Sequence, residues 1–315
     1  MRVLANALIF MLLPGSLASA QEADTPVFRA GSSLVRVDVQ VIGRGGRVLG
    51  DLQAEDFAIY DEGQAREIAH FGRESEPLDL LLLLDVSGSM RRSIERMAET
   101  ARLALRQLHP DDRVGVMLFA RQIEVWEEFT KDFALVSDGM KDAVKERGLG
   151  TGTAINEGLL AAARHMGAQP VRGRRAILIV TDNMGLNYRV SDEQVLRALY
   201  AADSVLNAIL IGKQKHPDPA PRGAVLNPDF TPPDVFKLAE ESGGEALEAG
   251  KIGETFAQMI ERIRARYSLH YAPPEDLGES SFRRIRVELT PQARRRHSSA
   301  RIRARAGYYP GRMLR

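Results

Sequence analysis

The sequence contains no cysteine, so its 315 residues can form neither a disulfide bond nor a thiolate metal site. An excess of charge of one sign is also absent, because 43 basic residues stand against 42 acidic residues. This balance argues against a partner held by a large basic surface, so nucleic acid is not expected as a partner. A chain of this length can bury a sufficient core without covalent cross-links.

Histidine is scarce as well. The six histidines are spread along the chain without the short spacings that are typical of metal-binding motifs. The spacing therefore predicts no zinc site, and each histidine is interpreted as an ordinary surface or core residue. They are His70, His109, His165, His216, His270 and His297.

Apolar runs that approach the length of a membrane span are confined to the N-terminus. Residues 3–13 form an apolar stretch after Arg2, and Ala18-Ser19-Ala20 matches the small-x-small cleavage pattern of export signals. We expect residues 1–20 to be a signal peptide that is cleaved after Ala20, which leaves a periplasmic or secreted protein without a transmembrane segment. An uncleaved anchor is the alternative, although the stretch is shorter than the about 20 residues that span a bilayer.

Residues 80–84 are five consecutive leucines. Such a run predicts a central parallel strand that is buried on both faces. Asp85, Ser87 and Ser89 follow it and place one carboxylate and two hydroxyls at the carboxyl end of the strand. Ligands of open α/β sheets bind in the crevice at this edge, and magnesium prefers oxygen ligands of this kind. The sequence therefore predicts a cation site here.

Two later segments add oxygen groups to the same edge. Residues 176–181 form a second apolar run, which predicts another buried strand, and Asp182 follows it. Thr153 lies in a glycine-rich turn just before a predicted helix. Because the carboxyl ends of parallel strands meet at one edge, Asp182 is expected close to Asp85.

In combination, Asp85-x-Ser87-x-Ser89, a later Gly-x-Thr153 and a Thr-Asp182 pair resemble the metal-ion-dependent adhesion site of von Willebrand factor A-type domains. The resemblance covers residues 78–266. It implies that Ser87, Ser89 and Thr153 contact a divalent cation, Mg²⁺ or else Mn²⁺ or Ca²⁺, and that Asp85 and Asp182 bind it directly or through water. It also implies a protein partner that offers an Asp or Glu carboxylate to the cation.

The sequence departs from that family pattern at one position. Asn183 follows Asp182 where the family usually has glycine. Asparagine adopts positive φ more readily than most residues, so we expect the turn to be preserved.

Three alternatives remain open for this cluster. Asp85 and the two serines could cap the following helix, since Ser and Asp are frequent N-cap residues. The site could belong to a metal-dependent hydrolase of phosphate esters, which would need a positioned nucleophile or general base. The protein could also be a structural envelope component with a vestigial site. We favour an exported, metal-dependent protein-binding module that is not an enzyme, because only the two aspartates could serve as a base.

Strand patterns flank the α/β region on both sides. Residues 28–76 and 267–312 each contain short alternating segments that are too small to be stable alone. We expect these segments to pair in one small β-sandwich. The doubly wound, mostly parallel α/β domain of residues 77–266 would then be inserted between them.

This outer arrangement resembles an acidobacterial group of exported von Willebrand factor A-related proteins. The resemblance is carried by Glu55-Asp56-Phe57, by Tyr-x-Leu-x-Tyr at residues 267–271 and by Arg-Ala-Gly-Tyr-Tyr at residues 305–309.

Two further expectations concern exposure. Residues 33–41 alternate valine with polar residues, which predicts a half-buried strand with Arg36, Asp38 and Gln40 on the face away from the valines. The three arginines at residues 294–296 are interpreted as part of a solvated turn between two strands and not as an anion-binding surface.

Overall fold

The described part of the chain contains fourteen strands and seven α-helices. The structure is a computed structural model, and it describes residues 34–73, 76–185, 189–212, 232–274 and 281–310. The strands are β1 (Val35–Ile42), β2 (Phe57–Asp61), β3 (Gln64–Arg66), β4 (His70–Gly72), β5 (Leu78–Asp85), β6 (Arg113–Phe119), β7 (Ile123–Thr130), β8 (Arg174–Thr181), β9 (Val205–Ile211), β10 (Ala246–Ala249), β11 (Tyr267–Tyr271), β12 (Arg283–Leu289), β13 (Arg301–Arg303) and β14 (Gly307–Tyr308). The helices are α1 (Arg91–Leu105), α2 (Phe133–Ala143), α3 (Ile155–Ala168), α4 (Asp192–Ala201), α5 (Val235–Glu241), α6 (Ile252–Arg264) and α7 (Pro291–Arg296). The predicted signal peptide lies outside the described residues.

A six-stranded sheet forms the centre of the fold, with the strand order β10-β9-β8-β5-β6-β7. Its strands are parallel except for the edge strand β7, which runs antiparallel to β6. Strand β5 is buried along its whole length. The pleat directs Leu80, Leu82 and Leu84 to one face and Leu81 and Leu83 to the other. The central buried strand that the leucine run predicts is therefore present.

Helices cover both faces of this sheet. Helices α1, α2 and α6 pack on the face of the even-numbered leucines, and α3, α4 and α5 pack on the opposite face. In α1 the buried residues Ile94, Met97, Ala101 and Leu105 recur every three or four positions, as an amphipathic helix requires. The doubly wound α/β class predicted from the sequence is confirmed.

Two four-stranded sheets, with the orders β13-β1-β11-β4 and β14-β12-β2-β3, are built from both ends of the chain. Val37 of β1 lies opposite Leu269 of β11, and Ile59 of β2 lies opposite Val287 of β12. The two sheets share one hydrophobic core, as the predicted sandwich requires. All described residues belong to one compact unit, Ser33–Arg315, so the domain boundaries after residues 76 and 266 stay a prediction.

The polar face of β1 is buried, so the expectation of a half-buried strand is wrong. All eight residues of Val35–Ile42 are buried. Gln40 Nε2 donates to the carbonyl oxygen of Arg262 in α6 at 3.1 Å, and Arg36 forms a 2.5 Å ion pair with Asp203. This face therefore packs against the α/β domain. Alternation shows which residues share a face, whereas packing between distant segments decides whether that face meets water.

The three C-terminal arginines differ from the expectation for a solvated turn. The arginines at residues 294–296 lie in helix α7, which begins at Pro291, and not in a turn between strands. Proline suits the first position of a helix, because the N–H that it lacks would have no partner there.

Within the described ranges, no helix combines the length and the apolar character that crossing a membrane requires.

A buried carboxylate joins the two small sheets. Asp61, at the end of β2, accepts hydrogen bonds from the hydroxyls of Tyr271 in β11 and Tyr308 in β14, each at 2.9 Å. Arg283 of β12 donates to Asp61 through Nε at 2.9 Å and pairs with it through Nη2 at 2.7 Å. Burial and the hydrogen bond to Asp61 raise the pKa of Tyr308 to about 12, so its hydroxyl remains a donor. Asp61 thus connects the N-terminal segment with three C-terminal strands.

We expect Asp61→Ala to destabilise the protein by roughly 3–5 kcal/mol, because the two buried tyrosine hydroxyls and the half-buried guanidinium of Arg283 would lose their shared partner. Urea unfolding measures this change. Asp51→Ala, at an exposed aspartate of the same segment, serves as the control and should change stability by no more than about 0.5 kcal/mol. A loss below about 1 kcal/mol for Asp61→Ala, the value of an exposed ion pair, would show that the network does not hold the sheets together.

Candidate functional site

The predicted oxygen-bearing residues gather at the carboxyl edge of the six-stranded sheet. Strands β5 and β8 are neighbours in register, with Leu84 opposite Val180. The next residue of each strand, Asp85 and Thr181, therefore lies at the same level of the edge. Asp85 is fully buried, and Asp182 beyond it is half-buried.

Both carboxylate oxygens of Asp85 are held in place. The backbone N–H of Ser87 donates to Oδ1 at 3.0 Å, and the Thr181 hydroxyl donates to Oδ2 at 2.7 Å. This role of Thr181 was not predicted from the sequence. Its signal was a hydroxyl at the last position of the strand beside β5, which becomes visible only when the order and register of the strands are known.

A second hydrogen bond connects the two strand ends. Ser89 Oγ donates to Asp182 Oδ2 at 2.6 Å, and the hydroxyl oxygens of Ser87 and Ser89 lie 3.4 Å apart. Asp182 Oδ1 accepts from the N–H of Met184 at 3.0 Å. Asp85, Ser87, Ser89 and Asp182 thus form one connected cluster, which we call the oxygen cluster.

Thr153 approaches this cluster from the neighbouring turn. Gly150 and Gly152 of that turn have φ values of 79° and 111°, which side chains rarely tolerate. Thr153 is buried, and its carbonyl oxygen is so close to the loop after Asp182 that a Cβ on Gly185 would stand 2.6 Å from it. Among the residues that the structure describes, Thr153 has no hydrogen bond to the oxygen cluster. The structure therefore places it beside the other four without linking it to them.

The conformation of Asn183 and the N-cap of helix α1 test two expectations from the sequence. Asn183 has φ 55°, so asparagine does adopt the left-handed conformation expected at this turn. Helix α1 has Met90 as its N-cap and no capping hydrogen bond from a side chain. Helix capping therefore does not explain the oxygen cluster, and that alternative is wrong.

The electrostatics of Asp85 indicate what the site can bind. Burial, with a smaller contribution from the nearby charge of Asp182, raises the pKa of Asp85 to about 6, even though Ser87 and Thr181 donate hydrogen bonds to it. A buried negative charge of this kind is stabilised by an adjacent cation. The available donors are carboxylate and hydroxyl oxygens, which fit Mg²⁺, Mn²⁺ or Ca²⁺ and not a metal that prefers sulfur.

We expect Asp85→Asn to stabilise the protein in the presence of a chelator at pH 7. Since the pKa of Asp85 is higher in the folded protein than the about 3.9 of an unfolded aspartate, ionisation opposes folding, and stability is lost as the pH rises through about 4 to 6. Removing this ionisation should raise the free energy of unfolding by about 1–3 kcal/mol at pH 7 and by little at pH 4. Denaturant unfolding at both pH values checks this, and an equal difference at both would contradict it.

Solved structures with low identity resemble the chain. The BatB protein from Bacteroides thetaiotaomicron is 18% identical, with a TM-score of 0.45, over 59% of this chain and 97% of its own. An aerotolerance-related membrane protein from Bacteroides fragilis is 19% identical, with a TM-score of 0.44, over 59% and 98% of the two chains. A von Willebrand factor type A protein from Catenulispora acidiphila is 13% identical, with a TM-score of 0.45, over 84% and 71%.

No curated protein sequence matches the chain. The family model of the von Willebrand factor type A domain, in contrast, matches residues 80–185. This interval begins within β5 and ends just after Asp182, so it contains the oxygen cluster, Thr153 and the strands that position them. The α/β fold of this interval is compatible with the match, and residues 80–185 are thus similar to a von Willebrand factor type A domain.

Proposed function

We propose that the protein is an exported binding module that recognises a protein partner through a divalent cation held by the oxygen cluster and Thr153. Domains of this family mediate protein interactions. The observation that carries the proposal is the hydrogen-bonded group of Asp85, Ser87, Ser89 and Asp182 at the sheet edge. Two separate segments supply it, and the capping of helix α1 does not account for it.

The site residues differ in exposure, which supports different roles for the hydroxyls and the aspartates in binding a cation. Ser89 is exposed and Asp182 is half-buried, whereas Asp85 is buried. Ser87, Ser89 and Thr153 would contact the cation through their hydroxyls, and the aspartates would bind it directly or through water. A cation with few charged ligands would remain electrophilic. It would then bind a carboxylate oxygen from an Asp or Glu of the partner as an additional ligand.

An exposed methionine lies beside the site. Met184 follows the cluster by two residues, and 73% of its surface is exposed. Methionine is flexible and polarizable, and it is common on surfaces that adapt to a partner. Since coordination of a carboxylate is generic, apolar contacts of this kind would add specificity. We also expect the proline-rich segment of residues 213–233 to contribute to specificity, and residues 213–231 of this segment lie outside the described residues.

Hydrolysis of phosphate esters is the alternative, and the raised pKa of Asp85 favours it, because a general base works best with a pKa near the working pH. However, both carboxylate oxygens of Asp85 already accept hydrogen bonds from Ser87 and Thr181. Asp182 is engaged in the same way by Ser89 and Met184. Proton abstraction would require one of these bonds to break, so we favour binding over catalysis.

The first test concerns the cation. We expect Ser89→Ala to lower the affinity for Mg²⁺ by roughly tenfold or more, because it removes a ligand and the hydrogen bond that orients Asp182. Isothermal titration calorimetry measures this affinity. Ser93→Ala, which removes a hydroxyl from the first turn of α1, is the matched control and should bind like the wild type. Equal affinities for Ser89→Ala and the wild type would refute the site.

The second test concerns the partner. Immobilised protein should retain envelope proteins in Mg²⁺ and release them on chelation, and Asp182→Asn should not retain them. Met184→Ser should weaken this retention but leave the Mg²⁺ affinity unchanged. Leu103→Ser is the control, because Leu103 is 68% exposed and lies about 18 Å along α1 from its start. Retention that persists after chelation would favour a structural component with a vestigial site.

A further inference from the structure

Two histidines that are 200 residues apart in the sequence meet in the sheet that contains β4 and β11. His270 of β11 lies directly opposite His70 of β4 in the antiparallel register. The two ring centroids are 5.1 Å apart and the rings are inclined by 71°. The spacing of the histidines along the chain gives no sign of this contact, because the pairing that joins them involves strands from opposite ends of the chain.

Glu76 brings a carboxylate to the same place. Its Oε1 lies 3.5 Å from His270 Nε2. One ligand atom from each of His70, Glu76 and His270 lies within 4.8 Å of the others. Two ligand atoms on a tetrahedral zinc ion stand about 3.3 Å apart, since the bonds are about 2.0–2.1 Å long. Small side-chain rotations therefore bring all three within bonding distance of one ion.

The nitrogen of His270 that faces Glu76 provides a second observation. His270 Nε2 is shielded from solvent and has no hydrogen bond of normal geometry with the described residues, and the nearby carboxylate oxygen of Glu76 stands 3.5 Å away. Buried polar atoms normally have a partner, and one without a partner requires an explanation. A metal ion bonded to this nitrogen would supply it.

The backbone leaves room for the carboxylate. A Cβ on Gly72 would stand 2.3 Å from Glu76 Oε1, so glycine at this position allows the carboxylate to face the two histidines.

We propose that His70, Glu76 and His270 bind a transition-metal ion, with Zn²⁺ as the best fit and water as the fourth ligand. Two imidazoles and one carboxylate are a recurrent donor set for zinc and leave one position open. The imidazole nitrogens also distinguish this site chemically from the oxygen cluster, because an all-oxygen donor set suits harder ions such as Mg²⁺. His70 is exposed, so the ion can enter from solvent.

The position of this site defines its effect. Glu76 lies just before β5, where the chain enters the α/β domain, and His270 lies in β11, just after the chain leaves it. An ion bound to both would link the two connections between the α/β domain and the small sheets. Zinc should therefore raise the thermal stability of the protein, and the increase should grow with the logarithm of the zinc concentration above the dissociation constant.

The test is equilibrium dialysis of the full-length protein against Zn²⁺ in excess Mg²⁺, with metal content measured by mass spectrometry. We expect one zinc per chain for the wild type and a loss of affinity of roughly tenfold or more for His70→Ala, His270→Ala and Glu76→Gln. His70 is exposed, so its replacement should not prevent folding. Co²⁺ in place of Zn²⁺ should give the visible absorption of a four-coordinate site in the wild type and not in these three variants.

Two controls make the result specific. His165→Ala breaks a histidine–glutamate pair of similar length, 3.4 Å between His165 Nε2 and Glu128 Oε2, and it should bind zinc like the wild type. Asp85→Ala should also retain its zinc, because the oxygen cluster is a separate site. No zinc bound by the wild type, equal binding by His70→Ala and His270→Ala, or loss of zinc in Asp85→Ala alone would overturn the proposal.

Discussion

The antiparallel pairing of β1 with β11, and of β2 with β12, is the constraint on which the rest of the structure depends. It joins strands that are more than 200 residues apart, so closing the chain costs entropy that local contacts cannot offset. Two features compensate for this cost: a shared hydrophobic core, and the buried Asp61 with its three donors from the C-terminal strands. The polar face of β1 then packs against the α/β domain, which fixes the small sheets to it.

The oxygen cluster depends in turn on the register of the central sheet. Asp85 and Thr181 meet because β5 and β8 are parallel neighbours, and their hydrogen bond holds the carboxylate before any cation arrives. Holding a buried charge in this way is unfavourable, as the raised pKa of Asp85 indicates. Under the proposed function, the positive charge of a bound cation would offset this unfavourable term.

The sequence was informative where structure is local. The leucine run predicted β5, and the order of Asp85, Thr153 and Asp182 predicted which groups would gather at one edge, because parallel strands bring their carboxyl ends together. Other features depend on distant pairings that the sequence does not show. The burial of Arg36 and Gln40 and the meeting of His70 with His270 require the N- and C-terminal strands to be in register. The spacing of residues in the sequence does not indicate such contacts.

The way the α/β domain is connected to the small sheets has a mechanical consequence. Strand β5 extends about 23 Å from its start near Glu76 to Asp85, so the oxygen cluster and the connections lie at opposite ends of the sheet. The two connections touch, since Arg264 of α6 donates to the carbonyl oxygen of Glu76 at 3.0 Å. A pulling force on the oxygen cluster would therefore be transmitted along β5. The two adjacent connections, before β5 and after α6, would share this force. Resistance to such a force would come from several strands in shear and not from a single linker.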